Sequence, residues 1–191
     1  MKTLLLVLAL PAFAATDRWD LDPAHSAAYF SVRHMMISNV KGQLGKAAGT
    51  VLYDAADPSK TQVDASIDAT TVNTREPQRD NHLKSPDFLD VAKFPSLTFK
   101  SKRVERASGG HLRLTGHLTI HGVTRETAFD IDGPTPAIKD PQGNWHMGAS
   151  ASAKINRKDF GLVWNRAVDN GGVLVGDEVA ITLDIELIKS K

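Results

Sequence analysis

The sequence predicts a mainly β protein, an antiparallel barrel or sandwich of about eight strands with one helical insertion. Three observations carry this. Apolar and polar residues alternate with a period of two in segment after segment, as in strands with one dry face. Turns rich in glycine, proline, serine and aspartate separate these segments at hairpin distances. One stretch alone, over about residues 76–91, loses that period and carries helix-capping residues instead.

The chain is organised around residues 19–44. Asp22-Pro23 makes a turn, because proline presets φ and donates nothing to a ladder. Beyond it Ser26, Ala28, Phe30, Val32 and His34 share one face and should look inward; Ala27, Tyr29, Ser31 and Arg33 share the other. Gly42 should allow a turn or bulge before the next strand, Thr50-Val51-Leu52-Tyr53-Asp54, which stops at Asp57-Pro58-Ser59. Residues 61–72 alternate most cleanly, with Val63, Ala65, Ile67 and Ala69 dry and Asp64, Ser66, Asp68 and Thr70 wet.

Thr74 should then cap a helix that tolerates Pro77 in its first turn, and Ser85-Pro86 offers a second start. One helix, or two short helical pieces, is expected over 76–91, docking Leu83, Phe88, Leu89 and Val91 on the sheet. Strands resume at Ser96. Leu97, Phe99 and Ser101 form one face, and Ser108-Gly109-Gly110 closes a hairpin onto Leu112, Leu114, Gly116, Leu118 and Ile120. Gly122 turns the chain into Thr127, Phe129 and Ile131. Residues 133–143 read as a loop, followed by an alanine-rich face of Trp145, Met147, Ala149, Ala151, Ala153 and Ile155. After an irregular stretch over 157–170, Val179, Ile181, Leu183, Ile185 and Leu187 make the last strand.

Residues 1–14 have the three parts of a signal peptide: Lys2, an apolar run over 4–10, and Ala12-Phe13-Ala14 as a small-x-small cleavage site. The apolar run is much shorter than the roughly 20 residues of a spanning helix. Cleavage near Ala14 would leave one domain over 15–191, with no transmembrane segment, in the periplasm or outside the cell. It would also remove Lys2 and take Lys+Arg from 23 to 22, equal to the 22 Asp+Glu. Formal neutrality argues against a nucleic-acid partner or an anionic membrane surface as the main target. With no cysteine there is no disulfide, thiolate metal site, thiol nucleophile or c-type haem attachment.

Motifs for chemistry are scarce. His117 and His121 share a strand face, but four residues of strand separate them by roughly 13 Å, too far for one ion at ligand distances of about 2 Å. No metal site is therefore expected. His34 ends the inward face and reads either as a buried histidine satisfied by a backbone carbonyl or Ser101, or as a polar group at a pocket mouth. The run from Gly148 to Ser152 fails the Gly-x-Ser-x-Gly pattern at its last position, and no glycine-rich loop leads from strand to helix. Arg79-Asp80 and Arg157-Lys158-Asp159 read as ion-paired corners on the surface or between loops. The interior is more informative. Ala28, Ala65, Ala69, Gly116, Ala149, Ala151 and Ala153 fall on inward faces, and side chains that small would leave an apolar cavity unless Phe30, Phe99, Phe129 and Trp164 fill it.

Four segments together resemble the YceI-like family: Leu21-Asp22-Pro23-Ala24-His25-Ser26 with Phe30-Ser31-Val32-Arg33-His34; Thr74 through Arg79-Asp80-Asn81-His82-Leu83 to Asp87-Phe88-Leu89-Asp90 and Phe94-Pro95-Ser96-Leu97-Thr98-Phe99-Lys100-Ser101; Gly116-His117-Leu118-Thr119-Ile120-His121-Gly122-Val123-Thr124; and Ile155-Asn156-Arg157-Lys158-Asp159-Phe160-Gly161. Leu44 departs from the family, which usually has phenylalanine there. The resemblance implies an extended, lipocalin-like β-barrel in an exported protein that binds a polyisoprenoid, of isoprenoid quinone or polyprenyl phosphate type, along the barrel axis. It brings no catalytic residues and no cofactor, and it suggests a functional link to a b-type membrane cytochrome; a homodimer is compatible with the sequence. The lumen wall is then expected from Ala28, Phe30, Val32, Ala65, Ile67, Phe88, Phe99, Leu118, Ile120, Phe129, Ala149, Ala151 and Trp164, and a head-group site at the mouth from His34, Arg79, His82, Ser101 and Arg157. A filled barrel serving a structural or stress-interaction role, or a small-molecule hydrolase or isomerase, are the competing readings.

Overall fold

The computed structural model describes residues 16–169 and 171–191; the segment expected to be a signal peptide, residues 1–14, lies outside them. Eleven strands form one sheet: β1 Asp17–Leu21, β2 Ala27–His34, β3 Ser38–Leu44, β4 Ala47–Tyr53, β5 Gln62–Asp68, β6 Ser96–Arg106, β7 Leu112–Ile120, β8 Val123–Asp132, β9 Ile138–Lys139, β10 Trp145–Asn156 and β11 Val175–Lys189. One α-helix, α1 Pro77–Lys84, interrupts them between β5 and β6. Every pairing is antiparallel, and β11 pairs with β10 on one side and with β1 and β2 on the other, which closes the sheet. β1 leads into β2 through the Asp22 turn, and β3 leads into β4 through a kink where Lys46 takes a φ of 51°. With these joined and β9 a two-residue edge, the wall is the eight-stranded barrel that the alternation predicts.

The strand faces follow the period of two. Val63, Ala65 and Ile67 of β5, Leu112, Leu114, Leu118 and Ile120 of β7, and Phe129 and Ile131 of β8 all turn to the lumen. The structure corrects the sequence reading at several points. Gly42 is neither turn nor bulge. It sits inside β3 directly opposite Phe30, whose ring lies where a β-carbon on Gly42 would come within 2.4 Å. The turn is made by residues 35–37 instead. α1 covers eight residues rather than sixteen, its N-cap is Glu76, and Thr74 donates its backbone N–H and hydroxyl to Asp80. Ser85-Pro86 opens a run of turns, not a second helix. His121 has left the strand and takes a φ of 52° in the β7–β8 turn, where its ring meets the Phe94 ring edge-on. Trp145 lies on the predicted β10 face but beyond the lumen, partly exposed and covered by Lys139.

The barrel has two unlike ends. At one end β1, a wall strand between β11 and β4, buries Trp19 against Val51, Met147 and Leu187; this is the Trp19 end. At the other, the helix end, the insertion over 69–94 fills the gap beside β3, to which it is tied by a two-way backbone pair between Gln43 and Asn73. The β10–β11 loop folds across from the opposite wall, packing Phe160 and Leu162 on Leu118, Ile120, Phe129 and Ala151.

Candidate ligand-binding site

The lumen holds a cavity of about 470 Å³, inside the range of sites that take a small ligand. Its lining on β10 runs from Met147 to Ile155, which is roughly 26 Å of strand at about 3.3 Å per residue. The site is therefore a tube rather than a bowl. All thirteen residues expected in the lumen wall line it: Ala28, Phe30, Val32, Ala65, Ile67, Phe88, Phe99, Leu118, Ile120, Phe129, Ala149, Ala151 and Trp164. The four large aromatics do not fill the space. Phe99 packs edge-on against Phe129 at 5.3 Å, and it can lie flat on the wall because Gly116 of β7 has no β-carbon, which would stand 2.5 Å from the ring. Phe30 uses Gly42 in the same way. Two glycines thus push two rings outward and keep the axis open.

The sequence reading did not include the wall supplied by Val179, Ile181, Leu183 and Ile185 of β11, or Leu83 and Leu89 of the insertion. The β11 residues were detectable, since they alternate as cleanly as any others. Thr61 was not. Its hydroxyl is buried on the cavity wall near the Trp19 end with no hydrogen-bond partner in the protein.

The imidazole and charged side chains of the lining, Arg33, His34, Arg79, His82 and Arg157, all belong to the helix end. Their availability differs. Among the described residues the His34 ring has no hydrogen bond to a backbone carbonyl or to Ser101, and it lines the cavity as a half-buried polar group. Arg79 donates Nε to the Thr74 hydroxyl at 2.8 Å and Nη2 to the Thr74 carbonyl at 3.0 Å, which leaves other N–H groups unused. His82 pairs with Asp87 at 2.8 Å and sets its ring edge-on to Phe88 and Trp164, at 5.0 and 4.7 Å. Phe88 and Trp164 also meet, at 5.3 Å. An aromatic bridge therefore joins the insertion to the β10–β11 loop across this end.

Two expected head-group residues take other roles. Ser101 does not line the cavity. A bulge between Ser101 and Arg103 shifts the β6–β7 register, so Val104 takes the inward place and the Ser101 hydroxyl accepts from the Val63 N–H at 2.8 Å. Arg157 is 3 % exposed, and all five of its N–H donors are committed. They go to the carbonyls of Gly176, Leu162, Trp164 and Val175 and to the Asp177 carboxylate. Burial lowers its pKa and Asp177 opposes that shift; arginine stays charged regardless. It is a clamp on the loop, not a surface ion pair and not a free ligand.

At the Trp19 end a second polar group was missed because its two local pairs, Asp22 with His25 and Asp140 with His146, meet only at Glu186, far along the chain. His25 Nδ1 lies 2.6 Å from Asp22, and His146 bridges Glu186 at 2.8 Å and Asp140 at 3.0 Å. Asp22, His25 and Glu186 bring one ligand atom each within 4.8 Å of one another, a set that could hold a cation; here Asp22 and His25 satisfy each other directly. Hydrogen bonds from Asn144 and His146 lower the Asp140 pKa to about 2. The carboxylate partners raise the pKa of both histidines.

A closed antiparallel barrel with an apolar tube along its axis defines a lipocalin-like protein. A model of the YceI-like domain matches residues 19–187, and the chain belongs to that family. It is 34% identical over 168 residues to a UPF0312 protein of Staphylococcus aureus (strain MSSA476), covering 88% of this chain and 95% of that protein. Among solved structures, the YceI protein of Campylobacter jejuni is 29% identical, covers 83% of this chain and 90% of its own, and superposes with a TM-score of 0.69. BcnA of Burkholderia cenocepacia shares the fold at 21% identity, with a TM-score of 0.73 over 87% of this chain and 99% of its own. So does a polyisoprenoid-binding domain from Saccharophagus degradans, at 14% identity and a TM-score of 0.64 over 90% of this chain and 98% of its own.

Proposed function

We propose that this protein is an exported binding or carrier protein that holds a polyisoprenoid lipid, of isoprenoid quinone or polyprenyl phosphate type, in the barrel lumen. The observation that carries this reading is the continuous apolar tube with its charged and imidazole lining confined to the helix end. A long hydrocarbon tail matches such a tube, and a polar head matches that end. Burying about 500 Å² of tail would contribute roughly 12 kcal/mol before the cost of association is subtracted. The description of the Saccharophagus degradans domain as polyisoprenoid-binding supports the same reading. Export to the periplasm, or out of the cell, follows from residues 1–14. A b-type membrane cytochrome that exchanges quinone is the partner class that this function suggests.

The test is organic extraction and native mass spectrometry of the protein purified from its own host. An isoprenoid should co-purify, and delipidated protein should take one up. If no lipid is found and none is taken up, the reading fails. Turnover of a small molecule that is lost on changing His34 or Arg79 would favour a hydrolase or isomerase instead.

A further inference from the structure

Among the described residues eight large apolar side chains stand exposed, and five belong to the helix end: Met35, Met36, Ile37, Val163 and Val173. Each of their segments touches the tube. His34, Trp164 and Leu174 line the cavity, and Met35, Val163 and Val173 are their next neighbours in the chain. The segments are also joined, since Met35 N–H donates to the Leu174 carbonyl and the Met36 side chain lies near Gly176. The apolar surface is thus the outer continuation of the cavity rim.

The backbone supplies a second, independent observation. The turn from β2 to β3 holds Met35 at a φ of 50° and Met36 at 62°. That region favours glycine and asparagine, and a bulky residue there is strained. Ile37, which follows, is 75 % exposed. Packing inside the protein does not require three long apolar side chains on this tip, and the local backbone disfavours two of them.

Resting on the lipid-carrier reading, we propose that the helix end is a membrane-docking face, which inserts Met35, Met36 and Ile37 into the interfacial layer of a bilayer so that the tail passes directly between bilayer and tube. The charges of the patch fit a lipid surface. Over 33–37 and 163–174 they are Arg33, Arg166 and Asp169. Arg33 is held back by donating to the Met36 carbonyl, and Arg166 lies over the Trp164 ring at 5.7 Å. A shallow apolar tip flanked by two arginines and one aspartate does not repel a bilayer, and because the chain without Lys2 is formally neutral the apolar side chains, not anionic lipid, would supply the binding. The exposed pair at the other end, Ile138 and Trp145, offers no such route, because Trp145 is covered by Lys139 and the cavity behind it is closed by Trp19, Met147 and Leu187.

The test is flotation of the mature chain with vesicles of phosphatidylethanolamine and phosphatidylglycerol at 3:1. Ile37→Asp should lower the vesicle-bound fraction at least tenfold. Met36→Gly should lower it several-fold while the melting temperature holds or rises, because glycine relieves the strained φ. Trp145→Asp should leave binding unchanged. Wild-type protein that stays off the vesicles, or patch variants that bind them like wild type, would overturn the proposal. So would loss of a protein cross-link in the patch variants with vesicle binding intact, which would make the face a protein interface. Isoprenoid content is measured separately by extraction. Patch-dependent vesicle binding by a barrel that takes up no lipid would sink the carrier reading but leave the docking face standing.

Discussion

The two ends of the barrel solve opposite problems with the same kind of wall. At the Trp19 end, Trp19, Met147 and Leu187 are each less than 5 % exposed and His25 and His146 are paired with carboxylates, while among the described residues the Thr61 hydroxyl and the Trp19 indole N–H are buried without a partner. At the helix end the aromatic bridge and the Arg157 clamp are buried or half-buried, but two methionines sit at positive φ and apolar side chains face outward. Local stability concentrates where burial is dense, and the segments that must move are drawn from the rest. On the proposed function, the Trp19 end would stay shut and the helix end would admit the lipid.

The sharpest way to break this contrast is to cut each end in turn. Trp19→Ala should cost about 3–5 kcal/mol of stability, as expected for a fully buried aromatic, while lipid exchange by the remaining folded protein keeps its rate. Trp164→Ala should cost less, since Trp164 is only partly buried, and should speed exchange by removing the bridge to His82 and Phe88. Denaturant melts and the transfer rate between protein and vesicles decide it. Equal stability losses with equal exchange rates would mean that the ends do not differ in this way.

One residue should cross the divide. Arg157→Met at the helix end should cost roughly 3 kcal/mol, because it strips charged donors from four backbone carbonyls that hold the β10–β11 loop. Faster hydrogen exchange over 162–176, with β1 unaffected, would show that the clamp acts locally.

What could be read in the sequence divides along the same line. The barrel wall was legible because a period of two is a local property: Val63, Ala65 and Ile67 announce their face without knowledge of the partner strand. The helix end was not. Arg157 reads as a surface charge because the carbonyls that bury it come from residues 162–176, which have no period at all. Ser101 follows Leu97 and Phe99 in perfect alternation, and only the bulge one residue later moves the inward place to Val104. Gly42 looks like a turn until Phe30 is laid across it. The thirteen expected wall residues line the cavity, whereas Ser101 lies off it and Arg157 is spent on the loop, because a wall is set by local alternation and a mouth by loops.

Between the ends, Ala151 tests the tube itself. It lines the cavity and also packs in the cluster of Phe129, Phe160 and Leu162. Ala151→Trp should abolish isoprenoid binding and cost about 1–3 kcal/mol from overpacking. Binding that survives at full stoichiometry would mean that the tail does not pass this point. Thermal melts of delipidated protein separate the two effects.

The smallest expected effect belongs to pH, and it should appear at the closed end. There Asp22 and Asp140 have lowered pKa values, Asp140 to about 2, and His25 and His146 have raised ones, with Glu186 facing both imidazoles. The signs are opposite. A lowered carboxylate stabilises the fold above its ordinary 3.8 and loses that contribution as pH falls toward 2. A raised histidine stabilises it below its ordinary 6.5 and loses that contribution as pH rises through the folded-state value. Both contributions are complete only between those two ordinary values. The melting temperature should therefore decline slightly from pH 6 to pH 8.5, by little, because His25 is exposed and solvent screens its pairing with Asp22. His25→Gln with His146→Gln should flatten that slope, whereas Trp164→Ala should not touch it. Imidazole C2–H titration by NMR gives the direct check: values for His25 and His146 at or below 6.5 would remove the basis for any pH-dependent clasp at the Trp19 end.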